Sequence, residues 1–81
     1  MTRDEIRSVF IDELTRIAPD VEAATLSDDD HLMDDLGLDS MDILNLVTAL
    51  QTRLGLSVPE TDYPRLETPE KAVDYLSRKL G

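Results

Sequence analysis

The chain has 81 residues, of which 18 are acidic and 8 are basic, and its formal net charge is −10 at pH 7. This acidity excludes nucleic acid as a partner and favours proteins with basic docking patches. The sequence has no cysteine, which excludes disulfides and thiolate metal sites. We therefore expect one small monomeric domain, residues 1–81, that depends on packing alone for stability.

The first predicted element is a helix over residues 3–17. Thr2 and Glu5 have the spacing of a capping box, and Pro19 disfavours helical backbone at Ala18. Because this opening segment is polar and no apolar run reaches membrane-spanning length, we expect a cytoplasmic protein with no membrane span. The apolar residues of the helix recur at helical spacing and form its expected core stripe: Ile6, Val9, Phe10, Leu14 and Ile17.

A long connection without a sustained period follows over residues 18–38. Its acidic residues do not fit a calcium loop, because a loop begun at Asp28 would have Leu32 and Met33 where an acid or amide and a glycine are required. His31 is alone, which favours a surface residue over a metal ligand, and no metal site is predicted. Five apolar residues are expected to anchor the connection across the helices: Leu26, Leu32, Met33, Leu36 and Leu38.

A second helix is predicted over residues 40–54, with Asp39 as its N-cap and Gly55 as a left-handed C-cap. Ser40 then lies in the first turn, beside free backbone N–H groups and the positive end of the helix dipole. A phosphate on its hydroxyl would be stabilised there, so the site suits carriage of a phosphoester. The expected core stripe of this helix is Ile43, Leu46, Val47, Leu50 and Leu54.

A second, partly apolar face of the same helix lies below Ser40. Its residues are either additional core or an exposed docking patch. We favour docking, because the core stripe already accounts for the buried face. The residues of this face are Met41, Leu44, Asn45 and Thr48.

The last third of the chain predicts a brief helix over residues 61–66 and a longer one that begins at Thr68-Pro69-Glu70. Pro64 keeps the first of these short, whereas Pro69 suits the first position of the second. Tyr63 and Tyr75 are expected at the bundle edges with solvated hydroxyls. The buried stripe of the last helix is expected to be Ala72, Val73, Leu76 and Leu80. The whole pattern predicts an all-α four-helix bundle with three longer helices, a short third helix and a long first loop.

The run from Leu36 to Asp42, Leu-Gly-Leu-Asp-Ser-Met-Asp, resembles the attachment motif of acyl carrier proteins, a Leu-Gly-x-Asp-Ser-Leu run before the second helix. In that family the serine carries 4′-phosphopantetheine, whose thiol holds the acyl group. The resemblance implies covalent attachment at Ser40, with Asp39 as its acidic neighbour. Met41 stands where leucine is usual. An Asp-Ser pair alone would favour a simple helix start, but the whole run in an acidic helical chain favours the prosthetic group.

The resemblance also implies a non-catalytic protein, in agreement with the lack of a G-x-S-x-G turn around Ser40. Its partners would be a phosphopantetheinyl transferase and acyl-loading, condensing or acyltransferase enzymes with basic docking patches. The docking residues would be Met41, Asp42, Leu44, Asn45 and Thr48. A carrier of aminoacyl or polyketide intermediates would share this fold and arm. From a different class, an acidic interaction domain without a prosthetic group stays open.

Two features bear on the pathway. Strong acidity and free-standing length favour a carrier of the fatty-acid type. However, Asn45, Gln51 and Thr52 are neutral at positions where carriers of bulk fatty-acid synthesis commonly have acids. Arg53 and Arg65 would add repulsion against a basic partner. These positions favour a specialised lipid or polyketide pathway.

Overall fold

The structure is a computed structural model and describes residues 1–81. It contains helix α1 (Arg3–Ile17), helix α2 (Ser40–Leu54), a 3₁₀ helix (Glu60–Leu66) and helix α3 (Pro69–Leu80), with no β-strand. The predicted all-α fold with three longer helices, one short helix and a long first loop is confirmed. No helix combines the length and the apolar character that crossing a membrane requires.

Helix α1 is the centre of the packing. It lies against both α2 and α3, and the 3₁₀ helix lies against α3, whereas no Cα pair closer than 8 Å joins α2 to α3. A single core of 16 buried apolar residues fills the bundle. Phe10 and Leu14 of α1 are fully buried, as are Leu50 of α2 and Leu76 of α3. The 3-4 spacing of the apolar residues therefore places one stripe of each helix in this core.

Side chains cap the helices as the sequence predicts. Thr2 Oγ1 accepts from the Glu5 N–H at 3.2 Å, and Glu5 Oε1 accepts from the Thr2 N–H at 2.9 Å. The hydrogen bond from Thr2 holds the pKa of Glu5 below its usual value. Thr68 Oγ1 caps α3 by accepting from the Lys71 N–H at 3.2 Å. Gly55 ends α2 with φ of 66°, a left-handed conformation that favours glycine.

The segment before α3 is a 3₁₀ helix of 7 residues and not the short regular helix over residues 61–66 that the sequence suggests. Pro64 lies inside it, where it has no N–H to donate and would obstruct an α-helical turn. Short segments of this kind commonly adopt 3₁₀ geometry. The predicted position is thus confirmed, and the tighter winding is a difference with a local cause.

The long loop, residues 18–39, packs across the helices as expected. Leu32 is fully buried, and its N–H donates to the carbonyl oxygen of Glu67 at 2.9 Å. The Glu70 N–H donates to the carbonyl oxygen of Asp28 at 3.0 Å. These two bonds fix the loop to the start of α3. Met33 is an exception, because its side chain is 44% exposed and does not anchor the loop.

Ion pairs join α1 to its neighbours. Arg53 of α2 contacts Asp12 at 3.2 Å and the buried Glu13 at 3.3 Å. Exposed pairs contribute little to stability, but a buried carboxylate such as that of Glu13 requires a partner. Two carboxylates therefore compensate the charge of Arg53. The sequence suggests that Arg53 repels a basic partner, but in the structure its charge is not free to do so.

Two expectations for α3 are wrong. Leu80 is 37% exposed, because the helix extends past the core at its end. Tyr75 does not have a solvated hydroxyl, since the residue is buried and its O–H donates to Asp62 Oδ2 at 2.6 Å. This hydrogen bond joins α3 to the 3₁₀ helix. Tyr63 is half-buried, as expected of a bundle edge.

The Tyr75 hydrogen bond gives a prediction about alkaline stability. Burial, with the hydrogen bond to Asp62, raises the pKa of Tyr75 from 10.0 to about 12. The native state thus keeps this proton to higher pH than the unfolded state does. The contribution of Tyr75 to the free energy of unfolding is therefore complete below about pH 10 and is lost as pH rises towards about 12.

We expect Tyr75→Phe to lower the free energy of unfolding by about 1–2 kcal/mol near neutral pH and to weaken its decline above about pH 10. Urea unfolding across this alkaline range measures both effects. Tyr63→Phe is the matched control and should keep the native pH slope. Equal slopes for the native chain and Tyr75→Phe would contradict the prediction.

Candidate functional site

A tight turn in the loop brings the chain to the start of α2. Gly37 has φ of 76°, which residues with a β-carbon rarely adopt. Its N–H donates to the carbonyl oxygen of Met33 at 3.2 Å, and the N–H of the buried Leu38 donates to that of Leu32 at 3.0 Å. The turn therefore buries Leu38 and leaves Asp39 and Ser40 on the surface.

Asp39 and Asp42 form a reciprocal capping box at the start of α2. Asp39 Oδ1 accepts from the Asp42 N–H at 2.9 Å, and Asp42 Oδ2 accepts from the Asp39 N–H at 3.2 Å. The predicted N-cap is confirmed, and the second half of the box adds to it. Asp42, predicted as a docking residue, is half-buried and has this structural role as well.

Ser40 is the first residue of α2 and is exposed. Its hydroxyl makes no hydrogen bond within the protein, since the capping acceptor is Asp39. The N–H groups of Ser40 and Met41 also have no protein acceptor, as is usual in a first helical turn. The residues present therefore fit a phosphoester on Ser40: an accessible oxygen, two free donors and the positive end of a helix dipole.

An open cleft of about 430 Å³ lies beside Ser40, between the loop, α2 and the 3₁₀ helix. Ile43 lines it and is only half-buried, so part of the predicted core stripe of α2 faces this cleft. The exposed Met33 is on the loop side. The other lining residues are His31, Leu32, Glu60, Tyr63, Pro64, Leu66 and Glu67. The cleft next to the Ser40 hydroxyl therefore has both apolar and polar walls.

His31 joins the loop to the far side of the cleft. Its Nδ1 accepts from the Met33 and Asp34 N–H groups at 3.3 and 3.2 Å. Nε2 therefore carries the hydrogen and donates to Glu67 Oε2 at 3.3 Å. The hydrogen bond from Lys71, with that from His31, holds the pKa of Glu67 below its usual value. His31 is half-buried at the surface of the cleft and organises this turn, a structural role that the sequence did not predict.

The second face of α2 is exposed. Met41 is 63% exposed and Leu44 is 43% exposed, which excludes their alternative interpretation as additional core. Asn45 and Thr48 are also exposed, although the Thr48 hydroxyl donates to the Leu44 carbonyl oxygen at 2.9 Å. An accessible apolar surface therefore runs along α2 from Ser40.

Gln51, one of the neutral positions noted in the sequence, is not part of this surface. It is half-buried, and its Oε1 accepts from the Val58 N–H at 2.8 Å, which fixes the connection after α2. The exposed neutral positions that continue the face are Asn45 and Thr52.

The acidic loop does not assemble a metal site. No group of three or more His, Asp or Glu side chains is placed to hold an ion. Instead its carboxylates bond within the loop: Asp30 accepts from the Ser27 N–H at 2.9 Å and Asp35 from the His31 N–H at 2.7 Å. The hydrogen bond from the Ser27 hydroxyl holds the pKa of Asp29 below its usual value.

Sequence reasoning missed the residues that form the cleft around Ser40. Glu60, Tyr63 and Glu67 follow Ser40 by 20 or more positions, and His31 precedes it. No local pattern joins them, because the contact depends on the loop crossing to the start of α3. The apolar anchor Leu32, directly after His31, is the one available signal that this part of the loop is held against the bundle.

Comparison with known proteins agrees with this geometry. A family model described as a phosphopantetheine attachment site matches residues 4–76. The chain belongs to this family. Members of the acyl carrier protein family are carriers and not catalysts, and their prosthetic group is covalently bound 4′-phosphopantetheine. The comparison confirms the family, the non-catalytic role and the cofactor that the sequence motif implies.

Individual relatives include acyl carrier proteins and a polyketide synthase. An acyl carrier protein of Solidesulfovibrio magneticus is 26% identical over 78 residues, which are 96% of this chain and 94% of that protein. The non-reducing polyketide synthase Preu3 of Preussia isomera is 39% identical over 52 residues, 64% of this chain but only 2% of the synthase. The structure of an acyl carrier protein from Enterococcus faecalis superposes with a TM-score of 0.77 at 30% identity, covering 98% of this chain and 99% of that one.

The division of roles between Asp39 and Ser40 gives a stability prediction. We expect Asp39→Ala to lower the free energy of unfolding by about 1 kcal/mol, because the cap acceptor is lost. Ser40→Ala should change it by less than about 0.5 kcal/mol, because its hydroxyl bonds nothing in the protein. Thermal and urea unfolding of both variants measure this. Asp39→Asn keeps an acceptor and is the control. A larger loss for Ser40→Ala than for Asp39→Ala would contradict the assignment of the cap.

Proposed function

We propose that residues 1–81 are an acyl carrier domain that tethers acyl intermediates as thioesters on a 4′-phosphopantetheine arm attached to Ser40. The observation that carries this proposal is the exposed hydroxyl of Ser40, free of hydrogen bonds, at a capped helix start within the matched region. Beside it lies the open cleft. When bound, the arm supplies the thiol to which acyl groups are joined.

The residues around Ser40 have separate tasks in this proposal. Asp39 and Asp42 hold the helix start, which keeps the serine oxygen accessible to a phosphopantetheinyl transferase. The exposed Met41, Leu44, Asn45 and Thr48 form the docking face for the enzymes that load and receive acyl groups. Apolar contact on this face gives affinity, and the acids at its start give orientation towards a basic partner.

The proposal of a specialised pathway rests on the charge of the docking face. Asp39 and Asp42 are the only acids of α2 and its cap, and the exposed positions farther along the face, Asn45 and Thr52, are neutral. A partner that depends on acids along the whole helix would lose electrostatic steering here. The similarity to a segment of a polyketide synthase supports a specialised pathway of the polyketide type, with fatty-acid synthesis as the second candidate.

Attachment at Ser40 is tested by intact mass after co-expression with a broad-specificity phosphopantetheinyl transferase. We expect the native chain to gain one arm and Ser40→Ala to gain none, because only this serine lies exposed in the first turn of a long helix. Ser27→Ala and Ser57→Ala are matched controls, since both serines are exposed on other segments, and both variants should gain the arm. A modified Ser40→Ala, or an unmodified native chain, would refute the proposal.

Pathway selectivity is tested by loading the arm-bearing protein with malonyl groups and supplying it to a reconstituted bacterial fatty-acid synthase. We expect slow elongation relative to the carrier of that system. Asn45→Glu with Thr52→Glu restores acids on the face and should raise the rate by roughly three- to tenfold through association.

The matched control for this gain is Ser8→Glu with Ala24→Glu, which adds the same charge at exposed positions off α2. It should leave the rate unchanged. Native elongation as fast as with the synthase's own carrier would show that the neutral positions do not restrict partners. Equal gains in both double variants would show that total charge, and not the face, sets the rate.

A further inference from the structure

The basic residues of this acidic chain are unequally partnered. Five of the 8 are in ion pairs with carboxylates: Arg3 with Asp74, Arg7 with Asp28, Arg16 with Glu13, Arg53 with Asp12 and Glu13, and Lys71 with Glu67. The remaining three, Arg65, Arg78 and Lys79, have no carboxylate partner and are all exposed. Because the chain has 18 acidic residues and only 8 basic ones, the lack of a partner for these three cations does not come from a lack of acids in the chain.

These three cations share one side of the molecule. Arg65, on the 3₁₀ helix, and Lys71 and Arg78, on α3, line a shallow depression of about 340 Å³, together with one acid, Asp74. Lys79 Nζ lies 5.8 Å from the centre of the Tyr75 ring, and Tyr75 also lines this depression. We name Arg65, Lys71, Arg78 and Lys79 the basic patch. Cations from two elements converge here, and three of the four have no carboxylate partner.

The acids next to the basic patch are already occupied. Asp74 pairs with Arg3 at 2.6 Å, Asp62 accepts the hydroxyl hydrogen of Tyr75 at 2.6 Å, and Glu67 is bonded by Lys71 and His31. These contacts do not remove the acidic charges, but the cations Arg65, Lys71, Arg78 and Lys79 outnumber them here, and Asp74 is shared with Arg3. The count of charged groups around this depression is therefore positive, although the net charge of the whole chain is −10.

A simpler interpretation is that Arg78 and Lys79 only complement the negative end of the α3 dipole, since both lie in its last turn. Arg65 likewise lies in the last turn of the 3₁₀ helix, but complementing two helix ends does not account for the position of both on one depression. The convergence of two elements on one site indicates recognition of an anionic surface as well as a favourable helix end.

We propose that the basic patch docks an acidic surface of a protein partner that also uses the arm on Ser40; this rests on the proposed function. The 3₁₀ helix borders both places, because Tyr63 and Pro64 line the cleft beside Ser40 and Arg65 lines the patch. A partner seated over Ser40 reaches the patch across one short helix. An anionic membrane is disfavoured, because the remaining surface with its excess of acids would be repelled.

Such a partner would contact charges of both signs on the carrier. Acids at the start of α2 meet basic groups of the partner, and the basic patch meets acidic ones. This arrangement fixes one orientation of the carrier, because a rotated encounter brings like charges together. The patch therefore contributes selectivity among partners that all accept the same arm.

The test uses a poly-L-glutamate peptide as the acidic probe and the ¹⁵N-labelled full chain, with the arm attached, in low-salt titrations followed by NMR. We expect chemical-shift changes at Arg65, Tyr75, Arg78 and Lys79. Arg65→Gln with Arg78→Gln should weaken the affinity at least about fivefold. Arg7→Gln with Arg16→Gln removes the same charge elsewhere and should weaken it less than about twofold. Arg65→Lys with Arg78→Lys keeps the charge and should restore most of the binding.

Chemical-shift changes confined to residues other than the basic patch and Tyr75, or equal losses of affinity in the two glutamine variants, would overturn the proposal. Sedimentation of the native chain without peptide tests for self-association. Self-association that is lost in Arg65→Gln with Arg78→Gln would show that the patch binds a second copy of this chain, and would overturn the proposal of a different protein partner. Intact mass of each variant after transferase treatment keeps the two proposals separate. Normal arm attachment without binding of the peptide at the basic patch refutes only the proposed role of the patch. An unmodified native chain refutes the carrier function.

Discussion

The attachment of the long loop to the start of α3 is the constraint on which the rest of the structure depends. Leu32 is buried in the core, and its N–H is bonded to the carbonyl oxygen of Glu67, while the Asp28 carbonyl accepts from Glu70. The backbone of the loop is thus satisfied by the same residues that begin α3. Because α2 continues directly from this loop, the position of Ser40 relative to the 3₁₀ helix follows from these bonds and from the glycine turn.

At the start of α2, different residues cap the helix and carry the accessible hydroxyl. Asp39 and Asp42 satisfy each other's backbone N–H groups, so the helix does not need the hydroxyl of Ser40. A group attached to that oxygen would therefore displace no hydrogen bond of the fold. The cleft is likewise held by residues other than Ser40: one ring nitrogen of His31 bonds the backbone of the turn, and the other bonds Glu67. The walls of the site are fixed by contacts that do not involve its reactive atom.

Local signals were sufficient for the helices and for the position of the serine. The bounds of α1 and α2 agree with the sequence-based prediction, since capping residues mark both starts and Pro19 and Gly55 follow their ends. The errors and omissions concern tertiary contacts. Burial of the Tyr75 hydroxyl depends on Asp62, 13 residues away, and the role of His31 depends on Glu67, 36 residues away. Exposure of Met33 and Leu80 likewise depends on where the core ends, which periodicity does not reveal.

The candidate site was predictable to a similar degree. Motif and capping pattern gave Ser40 and its neighbours, and the exposure of Met41 and Leu44 follows from a core stripe that already fills the buried face. The cleft was not predictable, because its walls come from three separate segments. Nor was the compensation of Arg53 by Asp12 and Glu13, since a sequence shows a charge but not its partner.

The central position of α1 has a mechanical consequence. Since α1 lies against both α2 and α3, while these two have no Cα pair within 8 Å, α2 and α3 are joined to each other mainly through α1. Separating α2 from α3 would break no close backbone packing between them, whereas moving either helix away from α1 would. The cleft beside Ser40 lies between α2, the loop and the 3₁₀ helix, and the 3₁₀ helix packs against α3. A small movement of α2 relative to these segments would therefore change the width of the cleft without disturbing the contact of α1 with α3.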